Sequence, residues 1–525
     1  MNGKILKCLY AIIFIFLIVL TGNDCSVKRG RRLLVVGLDG LTFDLIRPWV
    51  EEGLLPNFER IMKEGAFGNL ESSIPALSPT AWTSATTGVN PGKHGIFCFS
   101  KGFTFEEGYL QNHYYSAVDR NAPAIWSILT DNEMKSIVIN VPFTSPPDTI
   151  NGIMIAGGPH PNKYEFTYPQ EIKERFPDYA QVFFQDKFWE EKKQEYLDYL
   201  YEDFNERKSV ALELADTEDW DFFMVTFTIP DKIQHYYWRY MDEKHPLYTP
   251  EGASRYGNAV RDVYVEMDKV LGEFESRASA IGANFIALSD HGFGPVYWTL
   301  NGENFIRKHW PPENRDIFVL SSDKHGGLFT IAFEKPPEVN KQNWEKYSNL
   351  TGELKEALES LKDPQTGESL IDTIYHRSNI YSGPMVTTAP DVIAIEKSGY
   401  LFVNWDGTED GKILQKLGEK SFCAHHRRDG ILLAKGPDIV TAKELGEHSI
   451  LDLAPTILYL EGVSIPSYMD GRVLEEMIIR ESLERHPPDE AIKQIQLGVK
   501  EHSRTLTQEE ENALEEQLKA MGYVK

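Results

Sequence analysis

Six short stretches of the chain are apolar almost without interruption: RLLVVGL (32–38), SIVINV (136–141), DFFMVTF (221–227), NFIALS (284–289), DVIAI (391–395) and ILLA (431–434). Such runs leave no room for a polar face, so each predicts a strand covered on both sides. Between them apolar positions recur at three- and four-residue spacing, as in 54–64 and 261–276, which predicts amphipathic helices. Strands alternating with helices predict an α/β fold, with a mostly parallel central sheet and helices on both faces.

Other stretches do not fit that alternation. The highly charged segment 188–217 has aromatic and aliphatic residues at helical spacing and predicts part of a cap, its aromatic stripe serving as core rather than as a ligand box. Insertions are expected at about 160–217 and 301–382, the second containing turn-rich sequence such as HWPPENRD. The main domain is expected at 30–475, followed by a helical tail at 476–525 in which Thr507 and Glu510 have capping-box spacing and the outer face is acidic.

Residues 1–25 read differently again. Lys4 and Lys7 precede a short apolar run and a polar exit, the pattern of an export signal, and the run is shorter than the ~20 residues of a spanning helix. A periplasmic or extracellular location follows, with membrane contact only through an N-terminal anchor. Beyond this segment only Cys98 and Cys423 remain, too few for a disulfide framework or a cysteine metal cluster. The net charge of −25 repels a phosphate backbone and excludes a large nucleic-acid footprint. A small phosphorylated ligand is still compatible, because a bound cation dominates the field close to it.

The chemistry gathers where strands end. VVGLDG ends in Asp39, TFTIPDKIQH carries Asp231 and His235, and ALSDHG carries Asp290 and His291. In open α/β sheets sites form at the carboxyl ends of strands, so these groups are expected to converge. Asp231 and His235 stand four apart, on one face of a helix, as two ligands of one ion require. A further ligand is needed, and His425, His426 and His448 are all available; composition does not choose among them.

Taken together, LLVVGLDG, TTGVNPGKHGI, PDKIQHYYW, LSDHGFGP, HHRRDGILLAKGPDI and LDLAPTILYLEG, which run in order from 33 to 472, resemble the alkaline phosphatase superfamily, and within it the type I phosphodiesterase and nucleotide pyrophosphatase-like group. The resemblance implies an alkaline phosphatase-like fold and two zinc ions flanking a hydroxyl nucleophile. It implies Asp231, His235 and His426 for one zinc, and Asp39, Asp290, His291 and the nucleophile for the other. Ser78 occupies the family's nucleophile position, with Thr80 as the alternative. His426 occupies the place of the late histidine, ahead of His425 and His448. Manganese or iron would suit the same donors. Two departures matter: Phe99 stands where nucleotide-cleaving relatives carry an asparagine, and Trp82 stands where a sulfatase signature has arginine. The implied reaction is hydrolysis of a small phosphoric ester through a phosphoserine. A diester is favoured over a monoester, because no arginine clamp for a dianion lies near Ser78 in the sequence. The alternatives are transfer of a phospho-group to a lipid or glycan acceptor, phosphomonoester hydrolysis, and a non-catalytic metal-stabilised protein. The sequence leaves the oligomeric state open.

Overall fold

The computed structural model of the protein describes residues 32–106, 109–162, 164–177, 179, 192–310, 317–321, 326–333, 341–404, 410–419, 421–498 and 506–521. The expected export segment at 1–25 lies outside them, as does 188–191 of the expected cap. Among the described residues no helix is long and apolar enough to cross a membrane.

Nine strands build the central sheet: β1 (Leu33–Leu38), β2 (Ala66–Glu71), β3 (Ser136–Ile139), β4 (Gly152–Ile155), β5 (Thr167–Tyr168), β6 (Phe222–Phe227), β7 (Asn284–Leu288), β8 (Asp429–Lys435) and β9 (Lys443–Ser449). Their spatial order is β9-β2-β8-β7-β1-β6-β3-β4-β5. The strand β1 lies parallel to both β6 and β7, and β3 continues the parallel run. Two strands run against it, β8 between β7 and β2, and β5 at the edge.

The pleat sorts alternate residues of β1 to opposite faces. Leu34, Val36 and Leu38 join a core with Phe223, Val225 and the helix α6 (Ala259–Ala280), which contributes Val263, Met267 and Phe274. Leu33 and Val35 join the opposite core with Met224, Trp82, Ala85 and Ile457. The last three come from α3 (Ser78–Thr87) and α7 (Leu453–Leu460). Helices therefore cover both faces, and the run RLLVVGL is apolar throughout because each face has its own core.

The run around 391–395 is a strand, yet it lies outside the central sheet. Val392–Glu396 belongs to a smaller antiparallel sheet with Ile317–Ser321, Gly327–Phe333 and Ile371–His376. Val392 and Ala394 pack there against Phe329, Leu354 and Leu358. An apolar run reports burial, and burial in a satellite core looks the same in sequence. The long helix α4 (Lys193–Thr217) is more integrated than a cap: Leu200, Phe204, Ala211 and Leu214 enter the main core.

Gly37, within β1, fixes the seat of α3. A Cβ there would lie 2.5 Å from Trp82 Cη2 and 2.6 Å from Thr226 Oγ1. Replacing Gly37→Ala is therefore expected to displace the indole and cost about 1–3 kcal/mol by overpacking, read as a lower urea midpoint with an unchanged slope.

Candidate active site

Three neighbouring parallel strands deliver the acids. Asp39 follows β1, and Gly40 turns the chain there with φ +75, a left-handed conformation that suits glycine. Asp231 and His235 lie in the first turns of α5 (Ile229–Met241), immediately after β6. Asp290 and His291 follow β7. The late histidine arrives on Ala424–Arg427, a short strand paired antiparallel with Gly292–Asn301 and holding His426 opposite Phe293. Ser78 opens α3, where Pro79 occupies a first-turn position that needs no N–H donor.

These residues form two groups of close donor atoms, Asp231 with His235 and His426, and Asp39 with Asp290 and His291. In the first, Nε2 of His426 lies 3.1 Å from Asp231 Oδ1 and 3.1 Å from His235 Nε2. In the second, Nε2 of His291 lies 3.5 Å from Asp39 Oδ1, 3.4 Å from Asp290 Oδ2 and 3.3 Å from Ser78 Oγ.

The second ring nitrogens set the chemistry of the first. Nδ1 of His235 donates to the Ala424 carbonyl at 2.9 Å, Nδ1 of His426 to Ala76 at 2.9 Å, and Nδ1 of His291 to Gly292 at 3.1 Å. A carbonyl only accepts, so each Nδ1 keeps the proton and a neutral ring turns a bare Nε2 lone pair inward. In the first group two such lone pairs and a carboxylate oxygen face one another. Acceptors at that distance repel unless a positive charge stands among them.

The remaining electrostatics agree. Asp39 Oδ1 and Asp290 Oδ2 are buried without a hydrogen-bond partner. Burial, together with each other's and Asp231's charge, pushes the Asp39 carboxyl well above its usual range. Burial and Asp231 do the same to Asp290. Burial holds His291 and His426 below the ordinary imidazole value. A bound cation removes the penalty on the carboxylates and needs the imidazoles neutral, so the donor set fits a divalent ion in each group.

The other candidates fall elsewhere. His448 lies on β9 with Nδ1 3.9 Å from Glu476 Oε1, and neither group of donors contains it. His425 stacks on His426 with ring centroids 4.5 Å apart but belongs to neither group. Thr80 is fully buried. Further along α3, Thr83, Thr86 and Thr87 donate back to helix carbonyls, and Ser84 meets His94 at 2.9 Å. Ser78 alone of these hydroxyls lines the open cleft.

That cleft holds about 970 Å³, open solvent at its mouth included, and its floor includes Asp39, Ser78, Asp231 and His235. Its walls include Phe99, Phe143, Tyr196, Tyr199 and Tyr236, so part of the aromatic stripe expected to be core faces the ligand space. Met521, just beyond the helix α8 (Gln508–Ala520), closes one side. Thr507 and Glu510 form the expected capping box, but the inner face of α8 is buried at Leu514 and Leu518. Gln517 exchanges two 2.7 Å hydrogen bonds with the backbone of His160. Two cations also reach the cleft, Arg207 and Lys232. Arg207 is taken up by Asp203 at 2.7 and 2.9 Å, Asn140 at 2.7 Å and Tyr179 at 2.7 Å.

The arrangement defines the class: an alkaline phosphatase-like fold with its polar groups gathered at the carboxyl ends of parallel strands. The family model for type I phosphodiesterase / nucleotide pyrophosphatase matches residues 33–428, and the chain belongs to that family of phosphoric-ester hydrolases. Among solved structures, human ectonucleotide pyrophosphatase/phosphodiesterase 5 is similar at 15% identity and TM-score 0.52, covering 85% of this chain and 100% of that one. The murine counterpart gives 14% identity and TM-score 0.53 over 86% and 100%. An inactive variant of the murine protein in complex with AMP gives 15% and 0.53 over the same shares. Comparison with curated proteins finds no sequence match.

Equilibrium dialysis with elemental analysis is expected to find about two divalent ions per chain, falling to about one in Asp290→Asn or in His426→Ala. Saturation at 100-fold the dissociation constant is expected to raise the unfolding free energy by about 2.7 kcal/mol per site, measurable in denaturant.

Proposed function

We propose that the protein is an exported, two-zinc hydrolase of phosphoric diesters that works through a phosphoserine at Ser78. The observation that carries this reading is Ser78 itself, the hydroxyl at the head of a buried helix, 3.3 Å from His291 Nε2 and lining the cleft together with Asp39, Asp231 and His235. Asp231, His235 and His426 would hold one ion, and Asp39, Asp290, His291 and Ser78 the other. When bound, the ions supply the positive charge that stabilises a serine alkoxide and the charge on the leaving oxygen. Zinc suits these nitrogen and oxygen donors, and manganese would be accepted as well.

The chain's own residues do the rest. Trp82 donates its indole N–H to Asp39 Oδ2 at 3.1 Å, which leaves Oδ1 for the cation. The opening turn of α3 leaves backbone N–H groups outside helical pairing, and these favour anionic phosphoryl oxygens. In-line attack by Ser78 Oγ on phosphorus expels the ester alcohol, and water then attacks the phosphoserine to release the second product and restore the hydroxyl. Arg207, four of whose five N–H groups are taken by Asp203, Asn140 and Tyr179, offers no free fork to a terminal dianion, in keeping with a diester. The aromatic walls suit an ester with an apolar or flat arm, and Phe99 among them presents a ring rather than an amide. Nucleotide-like esters remain candidates, since one structural relative was solved with AMP.

Purified protein assayed on bis(p-nitrophenyl) phosphate and on p-nitrophenyl phosphate is expected to favour the diester. Ser78→Ala is expected to lower kcat/KM by roughly 10³-fold or more, whereas Thr80→Ala lowers it by only a few fold. Turnover that survives both Ser78→Ala and exhaustive chelation would overturn the reading.

A further inference from the structure

We propose that Lys232 determines specificity by gripping a second negative group on the non-reacting arm of the substrate, so that the preferred ligand is a phosphoric ester or anhydride bearing an additional carboxylate or phosphate. The inference rests on the proposed phosphoric-ester chemistry of the same cleft. Lys232 follows Asp231 on α5 and lines the cleft that Ser78 opens into. Its backbone N–H donates to the Thr228 carbonyl at 3.3 Å, while among the described residues its ammonium makes no hydrogen bond and no ion pair.

Its position is costly for a free ammonium. It stands in the first turn of a thirteen-residue helix, at the positive end of the dipole. Arg207, a second positive charge, lines the same cleft. The acids of this region, Asp203, Asp231 and Asp39, all have other work. Asp203 is held by both ends of its carboxylate to Arg207, and Asp231 and Asp39 belong to the two donor groups. Once those groups hold cations, the ammonium faces a floor of positive charge. An anion carried in by the ligand would offset it.

The surroundings sharpen the selection. Phe99, Phe143, Tyr196 and Tyr236 line the same space with aromatic surface of low polarity. A charge-assisted hydrogen bond is stronger there than at an open surface. A lysine presents a point charge on a four-carbon stem, which accepts a carboxylate or a phosphate over a range of arm lengths rather than one planar geometry.

Isothermal titration calorimetry of the zinc-loaded full chain tests this with two probes, 2-carboxyethylphosphonate and propylphosphonate, which differ in the terminal charge. The wild type is expected to bind the carboxylate probe roughly 10-fold or more tightly, as a charge-assisted bond predicts. In Lys232→Met the two affinities should become equal, and in Lys232→Arg the preference should largely return. Zinc content and thermal unfolding of each variant report whether it is folded. Equal affinities in the wild type, or a preference that survives in Lys232→Met, would overturn the assignment. A preference that depends on Lys232 in a protein that hydrolyses no phosphoric ester would leave the assignment standing and remove the proposed reaction instead. Vigorous diester hydrolysis with equal affinities would do the reverse.

Discussion

Lone pairs facing lone pairs on the buried floor of a cleft form the constraint on which this molecule is built. Three imidazoles, each with its outer nitrogen tied to a backbone carbonyl, present bare nitrogens to carboxylate oxygens 3.1–3.5 Å away. Alone, such a cluster would relax by taking up protons or by moving apart. The fold prevents the second course. Asp39, Asp231 and Asp290 stand at the ends of three adjacent strands whose registers are fixed by continuous parallel ladders. Their backbones are buried between two cores, so the ladder cannot yield without exposing both. Positive charge is the remaining way to satisfy the cluster.

The same sheet divides labour within the cleft. Its floor comes from strand ends and from the head of α3, all inside the family-matched region of 33–428. Its walls come from α4, from the loops after β3 and β4, and from α8, which lies outside that region. The helix α5 serves both, with Asp231 and His235 on the floor and Tyr236 in the wall.

Much of the floor was legible in the sequence because its signals are local. Asp39, Asp231 and Asp290 each follow an apolar run at once, and the four-residue gap to His235 is a helical one. The choice of His426 over His425 and His448 needed either the resemblance or the pairing of Ala424–Arg427 with Gly292–Asn301, which no spacing reveals. The direction of β8 was equally hidden, because ILLA reads the same in a parallel or an antiparallel neighbour. So was the destination of Val392–Glu396, whose apolar face serves a satellite core. The walls were the least legible part. The sequence leaves Lys232 unmarked and shows only an acidic face on the tail helix, because what gives each its place is contact with residues far along the chain, such as that between Gln517 and His160.

The indole of Trp82 has a further consequence. It sits one helical turn beyond Ser78 on the same short helix and is bonded to the carboxylate that faces the cluster. The Ser78 hydroxyl and the indole that bonds to Asp39 are therefore spaced by the pitch of α3. A shift of that helix would move Ser78 and Trp82 together, so the hydroxyl and the hydrogen bond to Asp39 respond to the same displacement. Gly37, by yielding its own side chain, makes the indole's seat.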